Sequence, residues 1–168
     1  KISLADVLTS SPIAAFMIDQ DHRVIYWNPA LEKMTGIKAK DIIGTDRHWS
    51  IFYREKRPLM ADLLLDRVVR PEHYLDNWYY GKIKPASIEH NSYDATDFFP
   101  KIGGRPRWLR FTAATIRDRK GAIVGAIESF EDITEKRRAE ELYANLSNNS
   151  PLGIYVIRKG KFEFVNSQ

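Results

Sequence analysis

The sequence contains no cysteine among its 168 residues. That absence excludes disulfide bonds, thiolate metal ligands and cysteine nucleophiles. No stretch approaches the run of about 20 apolar residues that a membrane-spanning helix needs, and no secretory signal is visible. We therefore expect a cytoplasmic protein, with any membrane anchor lying outside this chain.

A strong excess of charge of one sign is also missing. Lysine and arginine number 26 against 22 acidic residues, and the formal net charge of +4 is spread along the sequence. The densest basic cluster, residues 136–138, is flanked by acids on both sides. A nucleic-acid-binding protein usually concentrates its positive charge on one face. We interpret the cluster as a solvated helix face and expect no nucleic-acid partner.

Hydrophobic residues make up 43% of the chain and aromatic residues 12%, which is enough for a buried core. The strongest pattern is an internal echo, since SPIAAFMI at 11–18 returns as SPLGIYVI at 150–157. A polar turn, a second apolar run and an asparagine follow each copy. The echo predicts a flanking segment at 1–10, a first domain at 11–134, a connector at 135–149 and the start of a second, similar domain at 150–168.

Periodicity and turn residues predict the elements of the first domain. Asn28-Pro29 predicts a helix start, and Gly36 predicts its end. Further helices are predicted at 38–43, 57–68 and 71–81, with a loop at 81–91. The predicted strands are 15–19, 23–27, 92–99 (ending before Pro100), 107–117 and 122–131. This order implies an α+β fold, a five-stranded antiparallel sheet with helices on one face.

The order of elements, read with particular residues, resembles the PAS sensor family over residues 11–134. The resemblance rests on four places: the hairpin that ends at Asn28-Pro29; Thr35-Gly36 followed by Ile43-Gly44; the turn at 118–121 followed by Val124-Gly125; and the run Asp132-Ile133-Thr134. The segment 45–92 is longer than a compact member of the family needs. This extra length indicates an insertion on the side of the domain where such members form a pocket.

The resemblance implies a sheet face, roofed by helices, that holds either a small ligand or only side chains. The residues that could line such a pocket are large and apolar: Phe16, Met34, Phe52, Leu63, Trp78, Phe111 and Ile127. The simpler interpretation is that these residues fill the core.

Flavin photosensors of this family need a cysteine after the second short helix, where residues 44–49 read GTDRHW. Cysteine-dependent flavin photochemistry and cysteine-linked chromophores are therefore excluded. Haem would need one well-placed histidine, for which His73 is the least unsuitable. The sequence has no glycine-rich phosphate loop, nucleophile elbow or zinc-binding helix motif. We expect no metal site and no catalysis by this chain.

The segment after Thr134 predicts a helix whose Ala139, Leu142 and Leu146 form the seam of a short coiled coil, or else pack on the helix's own domain. By resemblance, Asp132 and Thr134 couple the last strand to this helix. A homodimer is expected through the connector and an apolar leading segment (Ile2, Leu4, Val7, Leu8). We expect a module that senses a small ligand or relays a signal to an output domain such as a histidine kinase or diguanylate cyclase. The alternative is a ligand-free dimerisation module.

Overall fold

The computed structural model describes residues 6, 9–66, 83–85, 92–148 and 155–165, in two compact units, Lys1–Asp132 and Ile133–Gln168. The strands of the first unit are β1 (Ala14–Asp19), β2 (Val24–Trp27), β3 (Ile83–Pro85), β4 (Ser92–Ile102), β5 (Arg105–Arg117) and β6 (Ile123–Asp132). Its helices are α1 (Pro29–Thr35), α2 (Ala39–Ile42), a 3-10 helix (His48–Ile51) and α3 (Met60–Leu65). The residues expected to form the leading segment, the helix at 71–81, His73 and Trp78 lie outside the described residues.

The strands form one sheet in the order β2-β1-β6-β5-β4-β3, with every neighbouring pair antiparallel. This confirms the predicted α+β antiparallel fold, in which the hairpin β1–β2 joins the three long C-terminal strands. Because β6 lies between β1 and β5, the last strand of the sheet is also central to it.

Two predictions about the sheet were wrong. The loop expected at 81–91 contains the three-residue edge strand β3, which pairs with β4 and makes the sheet six-stranded. In addition, β4 does not stop before Pro100 but continues to Ile102. Proline has no N–H to donate, and it is tolerated here because the β4–β5 ladder is irregular between Phe99 and Ile102.

The buried side chain of Asn28 joins β1 to α1. Its Oδ1 accepts from Leu31 N at 2.9 Å, which caps the helix, and from Ala15 N at 3.0 Å. Its Nδ2 donates to Ile13 O at 2.7 Å. The predicted helix start at Asn28-Pro29 is confirmed. The same side-chain amide of Asn28 also fixes where β1 begins.

Alternating side chains of the central strands form the core, because residues i and i+2 of a strand share a face. Phe16 and Ile18 of β1 and Ala126 and Phe130 of β6 are buried on the face that α3 covers. The helix predicted at 57–68 begins three residues late, at Met60, since Leu59 is extended (φ −85°, ψ 175°) and serves as its N-cap.

The second unit contains α4 (Thr134–Asn148) and a hairpin of β7 (Tyr155–Arg158) and β8 (Lys161–Val165). The two strands predicted from the echo are therefore present. The register of β7–β8 shifts between Val156 and Ile157, and that of β1–β2 shifts between Met17 and Ile18, the matching positions of the echo. Over the described ranges, no helix has the length and apolar character to span a bilayer.

Candidate functional site

An aromatic chamber lies between the sheet and the segments around α3, lined by Phe52, Tyr53, Leu59, Phe99, Phe111, Glu128 and Phe130. The ring centroids of Phe52 and Phe130 are 4.8 Å apart, and those of Phe52 and Phe99 are 5.4 Å apart. The remaining cavity is about 10 Å³, roughly the space of one water molecule. The protein's own side chains therefore fill the chamber.

Glu128 is the acidic residue of this chamber. It lies on β6 with 1% of its surface exposed, and its Oε2 accepts a hydrogen bond of 2.9 Å from Ala61 N in α3. The pKa of its carboxyl is raised to about 8, mainly because burial disfavours the charged form; the Ala61 amide opposes this rise, and the nearby charge of Asp62 adds to it. At neutral pH this carboxyl is therefore protonated and neutral.

Four polar side chains form a histidine–aspartate cluster (His22, His48, Asp62 and Asp66) beside a cleft of about 470 Å³. Asp62 is the centre of the cluster. Its Oδ1 lies 2.7 Å from His22 Nδ1 and its Oδ2 lies 2.9 Å from His48 Nε2, while Oδ2 also accepts from Leu59 N at 2.8 Å. Local sequence explains this position, because an acid at the third residue of a helix reaches back to the N-cap amide.

The electrostatics of Asp62 follow from these contacts. Burial by itself raises the pKa of Asp62, but the hydrogen bonds from His48 and His22 outweigh burial and hold the pKa below 3.8. Asp62 is thus an ionised, buried carboxylate that three donors stabilise. Within the described ranges, no three histidine or acidic side chains are arranged to hold a metal ion.

An ion pair joins β5 and β6 at the point where β6 ends. Arg107 of β5 donates from Nη1 to Asp132 Oδ2, and Arg105 Nη2 lies 3.6 Å from the same oxygen. The Nε of Arg107 donates to Ile102 O at 3.2 Å, which orients the guanidinium. Because Arg107 is buried and Asp132 is the last residue of β6, the pair fixes the end of the central strand to its neighbour.

The structure brings only some of the candidate pocket residues together. Phe52 and Phe111 line the aromatic chamber, Phe16 packs on Phe130 with ring centroids 5.9 Å apart, and Leu63 is buried in the core. Met34 instead lines a separate cleft of about 530 Å³ near Arg110 and Glu131.

Ile127 also lies away from the chamber. Its neighbours on β6, Ala126 and Glu128, are on the buried inner face, so strand alternation places Ile127 on the opposite face. Neither Met34 nor Ile127 therefore contributes to the chamber. Trp78, the remaining candidate, lies outside the described residues.

The two residues predicted to couple the sheet to the helix lie on either side of Ile133. Asp132 ends β6, and Thr134 is the first residue of α4. Ala139, Leu142 and Leu146 of the predicted seam are exposed, Leu142 by 60% and Leu146 by 65%. The partner of that seam is a prediction that the structure does not test.

Sequence reasoning missed Glu128 and the histidine–aspartate cluster. Glu128 could have been found, because it follows Ala126 at the strand period of two and precedes Phe130, so a buried acid was already implied by the alternation. His22, His48 and Asp62 could not, since they come from a turn, a 3-10 helix and α3, which only the tertiary fold brings together.

Comparison with known proteins agrees with this architecture. A family model described as PAS domain matches residues 12–135. No curated protein sequence matches the chain significantly. Among solved structures, an RNA-binding light-oxygen-voltage receptor is similar at a TM-score of 0.57 and 17% identity, covering 85% of this chain and 36% of the receptor. The chain thus spans about a third of that receptor's length.

Two further structures are similar over most of the chain. The PAS domain of BvgS from Bordetella pertussis has a TM-score of 0.50 at 17% identity, covering 83% of this chain and 90% of that domain. A phage VqmA–DPO complex has a TM-score of 0.50 at 18% identity, covering 87% and 59%. At these identities the likeness establishes the fold alone. With the family model matching most of its residues, the chain belongs to the PAS domain family, whose members in general are sensory and signalling modules.

Proposed function

We propose that the first unit relays a conformational signal along β6 and α4 to an output domain of the same protein, such as a histidine kinase or a diguanylate cyclase. The observation that carries this proposal is the ion pair between Arg107 and Asp132 at the end of β6. Only Ile133 separates Asp132 from the first residue of α4. A movement of β6 is therefore delivered to the helix through two peptide bonds.

The ion pair is suited to this role because the position of its arginine is fixed. Arg107 is buried, and its Nε is held by Ile102 O, so its guanidinium presents Nη1 to Asp132 in one geometry. A partly buried pair of this kind is screened less by solvent than a surface pair. It gives the end of β6 a defined position, which a signal can change.

The aromatic chamber supports a relay that works without a bound ligand. The cavity of about 10 Å³ cannot admit a small organic molecule unless Phe52 and its neighbours move. Native mass spectrometry and an absorption spectrum of the purified protein test this part. We expect the mass of the polypeptide alone and no visible band. A bound small mass or a haem or flavin band would instead assign the chamber to a ligand.

The relay itself is tested by replacing Asp132 with alanine in the full-length natural protein and measuring its output activity with and without the stimulus. We expect the response to the stimulus to disappear while circular dichroism and melting temperature show a folded domain. Glu131→Ala is the matched control, since Glu131 is exposed and precedes Asp132 on the same strand. Unchanged regulation in Asp132→Ala would contradict the proposal.

A second candidate function is a ligand-free homodimerisation module. The observation that favours it is the exposure of Leu142 and Leu146 on one side of α4, together with Ala139. Exposed leucines at this spacing are typical of a helix that pairs with another helix. The two functions are compatible, because a relay through paired helices needs a dimer.

A further inference from the structure

The protonation state of His22 is set by its two hydrogen-bond partners. Its Nδ1 lies 2.7 Å from Asp62 Oδ1, and its Nε2 lies 3.1 Å from Asp66 Oδ1. An ionised carboxylate can only accept, so both ring nitrogens must donate, and only the imidazolium form has two N–H groups. The neutral ring would place a nitrogen lone pair against a carboxylate oxygen.

His48 is held differently by the same aspartate. Its Nε2 donates to Asp62 Oδ2, while its buried Nδ1 has no hydrogen-bond partner in the part of the chain that the structure describes. Only one ring nitrogen of His48 therefore meets a carboxylate, whereas both ring nitrogens of His22 do.

We propose that His22 is a proton-operated clamp, which fastens the β1–β2 turn to both ends of α3 when it is protonated and releases the Asp66 end when it is not. The Asp66 contact is the weaker of the two. It is longer by the distances given above, and the Asp66 side chain is 53% exposed whereas that of Asp62 is 9% exposed. Water replaces it more readily when the proton leaves.

The charges around His22 favour the protonated ring. It faces Asp62 of α3 and Asp66, the C-cap of that helix, and its own turn contributes Asp21. The other charged or titratable groups of the cleft are Asp46, His48, Lys56 and Arg57. Lys56 is paired with Asp46 at 2.6 Å, and the Arg57 guanidinium lies over the Tyr53 ring at 3.9 Å.

Acidic groups therefore outnumber the cations in the cleft. Burial by itself lowers the pKa of His22, but the hydrogen bonds and charges of Asp62 and Asp66 outweigh burial and raise it above 6.5. The clamp consequently opens as the pH rises through this raised pKa.

The clamp acts on the helix that touches the central strand. Asp62 follows Ala61, whose N–H donates to Glu128 of β6. Releasing one end of α3 changes how firmly that helix is held over the strand that ends at Asp132. The signal of the relay would then be proton concentration, and this last step alone rests on the proposed function.

The experiment is an NMR titration of the histidine side chains and of the α3 amides in the full 168-residue chain, with His22→Gln used to assign the His22 resonances. We expect His22 to titrate above 6.5 and the Leu63 amide to shift with the same midpoint. In Asp66→Asn the His22 midpoint should fall by about half a pH unit or more. Asp46→Asn is the matched control, since Asp46 lines the same cleft but pairs with Lys56, and it should leave the midpoint nearly unchanged.

Two results would overturn the proposal. One is a His22 midpoint at or below 6.5 that Asp66→Asn does not move. The other is a Leu63 amide that titrates identically in His22→Gln. Both are measured without any output domain, so a failure of the clamp is distinguishable from a failure of the relay, which the Asp132 variant tests separately.

Discussion

The amide of Ala61 and the carboxyl of Glu128, 67 positions apart in the sequence, are joined by a hydrogen bond of 2.9 Å. The bond connects α3 to the central strand at the floor of the aromatic chamber. No cation pairs with Glu128 among the described residues, so the acid is stabilised in its neutral form. Its protonation therefore contributes to the stability of the fold.

We expect Glu128→Gln to flatten the dependence of stability on pH. The folded state keeps the Glu128 proton up to a pKa of about 8, whereas the unfolded chain releases it near 4.5. Between these values the unfolded state binds fewer protons, so the free energy of unfolding falls by about 1.4 kcal/mol per pH unit as the pH rises. Urea unfolding of both proteins at several pH values in this window measures the difference in slope.

Glu131→Gln is the control for this slope, since Glu131 is an exposed acid on the same strand. It should retain the dependence of the unmodified protein. Parallel stability curves for Glu128→Gln and the unmodified protein would show that Glu128 is ionised in the folded state at neutral pH.

We expect Asn28→Ala to destabilise the first unit by about 2 to 3 kcal/mol. The substitution leaves the Leu31 and Ala15 amides and the Ile13 carbonyl without their side-chain partner in a buried place. Chemical denaturation measures the loss. Ser11→Ala removes an exposed side-chain bond to Ile13 N and should cost less than about 0.5 kcal/mol. Equal losses in the two variants would refute the role assigned to Asn28.

We expect Gly125→Ala to cost about 1 to 3 kcal/mol. A Cβ at this position would lie 2.5 Å from Ile18 O, and a backbone atom inside a sheet cannot move aside as a flexible side chain would. The β1–β6 ladder must open at this point to admit the methyl group. A thermal melt against Val124→Ala, a change at its exposed neighbour, isolates the effect; a melting temperature as high as that of the control would argue against the clash.

We expect the chain to dimerise through α4 at high concentration, and Leu142→Ser with Leu146→Ser to make it monomeric. These leucines are exposed in the single chain, and pairing would remove their apolar surface from water. Light scattering over a concentration series measures the mass. Glu140→Ser, on the other side of the helix, should leave the dimer intact. A monomer at every concentration before mutation would exclude this interface.

The sequence was sufficient for those parts of the fold that depend on local pattern. The hairpin, the Asn28 cap and the three long strands follow from alternation and from turn residues, which act over a few positions. The same reasoning failed at Pro100, since a proline is compatible with a strand only where the ladder is irregular, and that depends on the partner strand. It also failed for Ile127. The pocket candidates were chosen by residue type, without regard to the face of the strand on which each side chain lies.

The histidine–aspartate cluster shows why the site was harder to predict than the fold. His22 and Asp62 are 40 positions apart, and neither stands in a recognisable motif. Their contact depends on how α3 is placed over the sheet, and this placement is a property of the packed core. Sequence periodicity indicates that α3 is buried. It does not indicate that the β1–β2 turn, which carries His22, lies against the ends of that helix.

The two edges of the sheet limit how it can meet other proteins. At the β2 edge, Val24 N already donates to Thr45 O at 2.9 Å and Gly44 N to Val24 O at 2.8 Å. At the other edge, β3 offers three residues, and the last of them is a proline. An incoming strand would find the backbone groups of Val24 already paired, and beside β3 it would meet a strand whose last residue has no N–H to donate. Growth by strand addition, the route to fibrous aggregates, is discouraged at these positions.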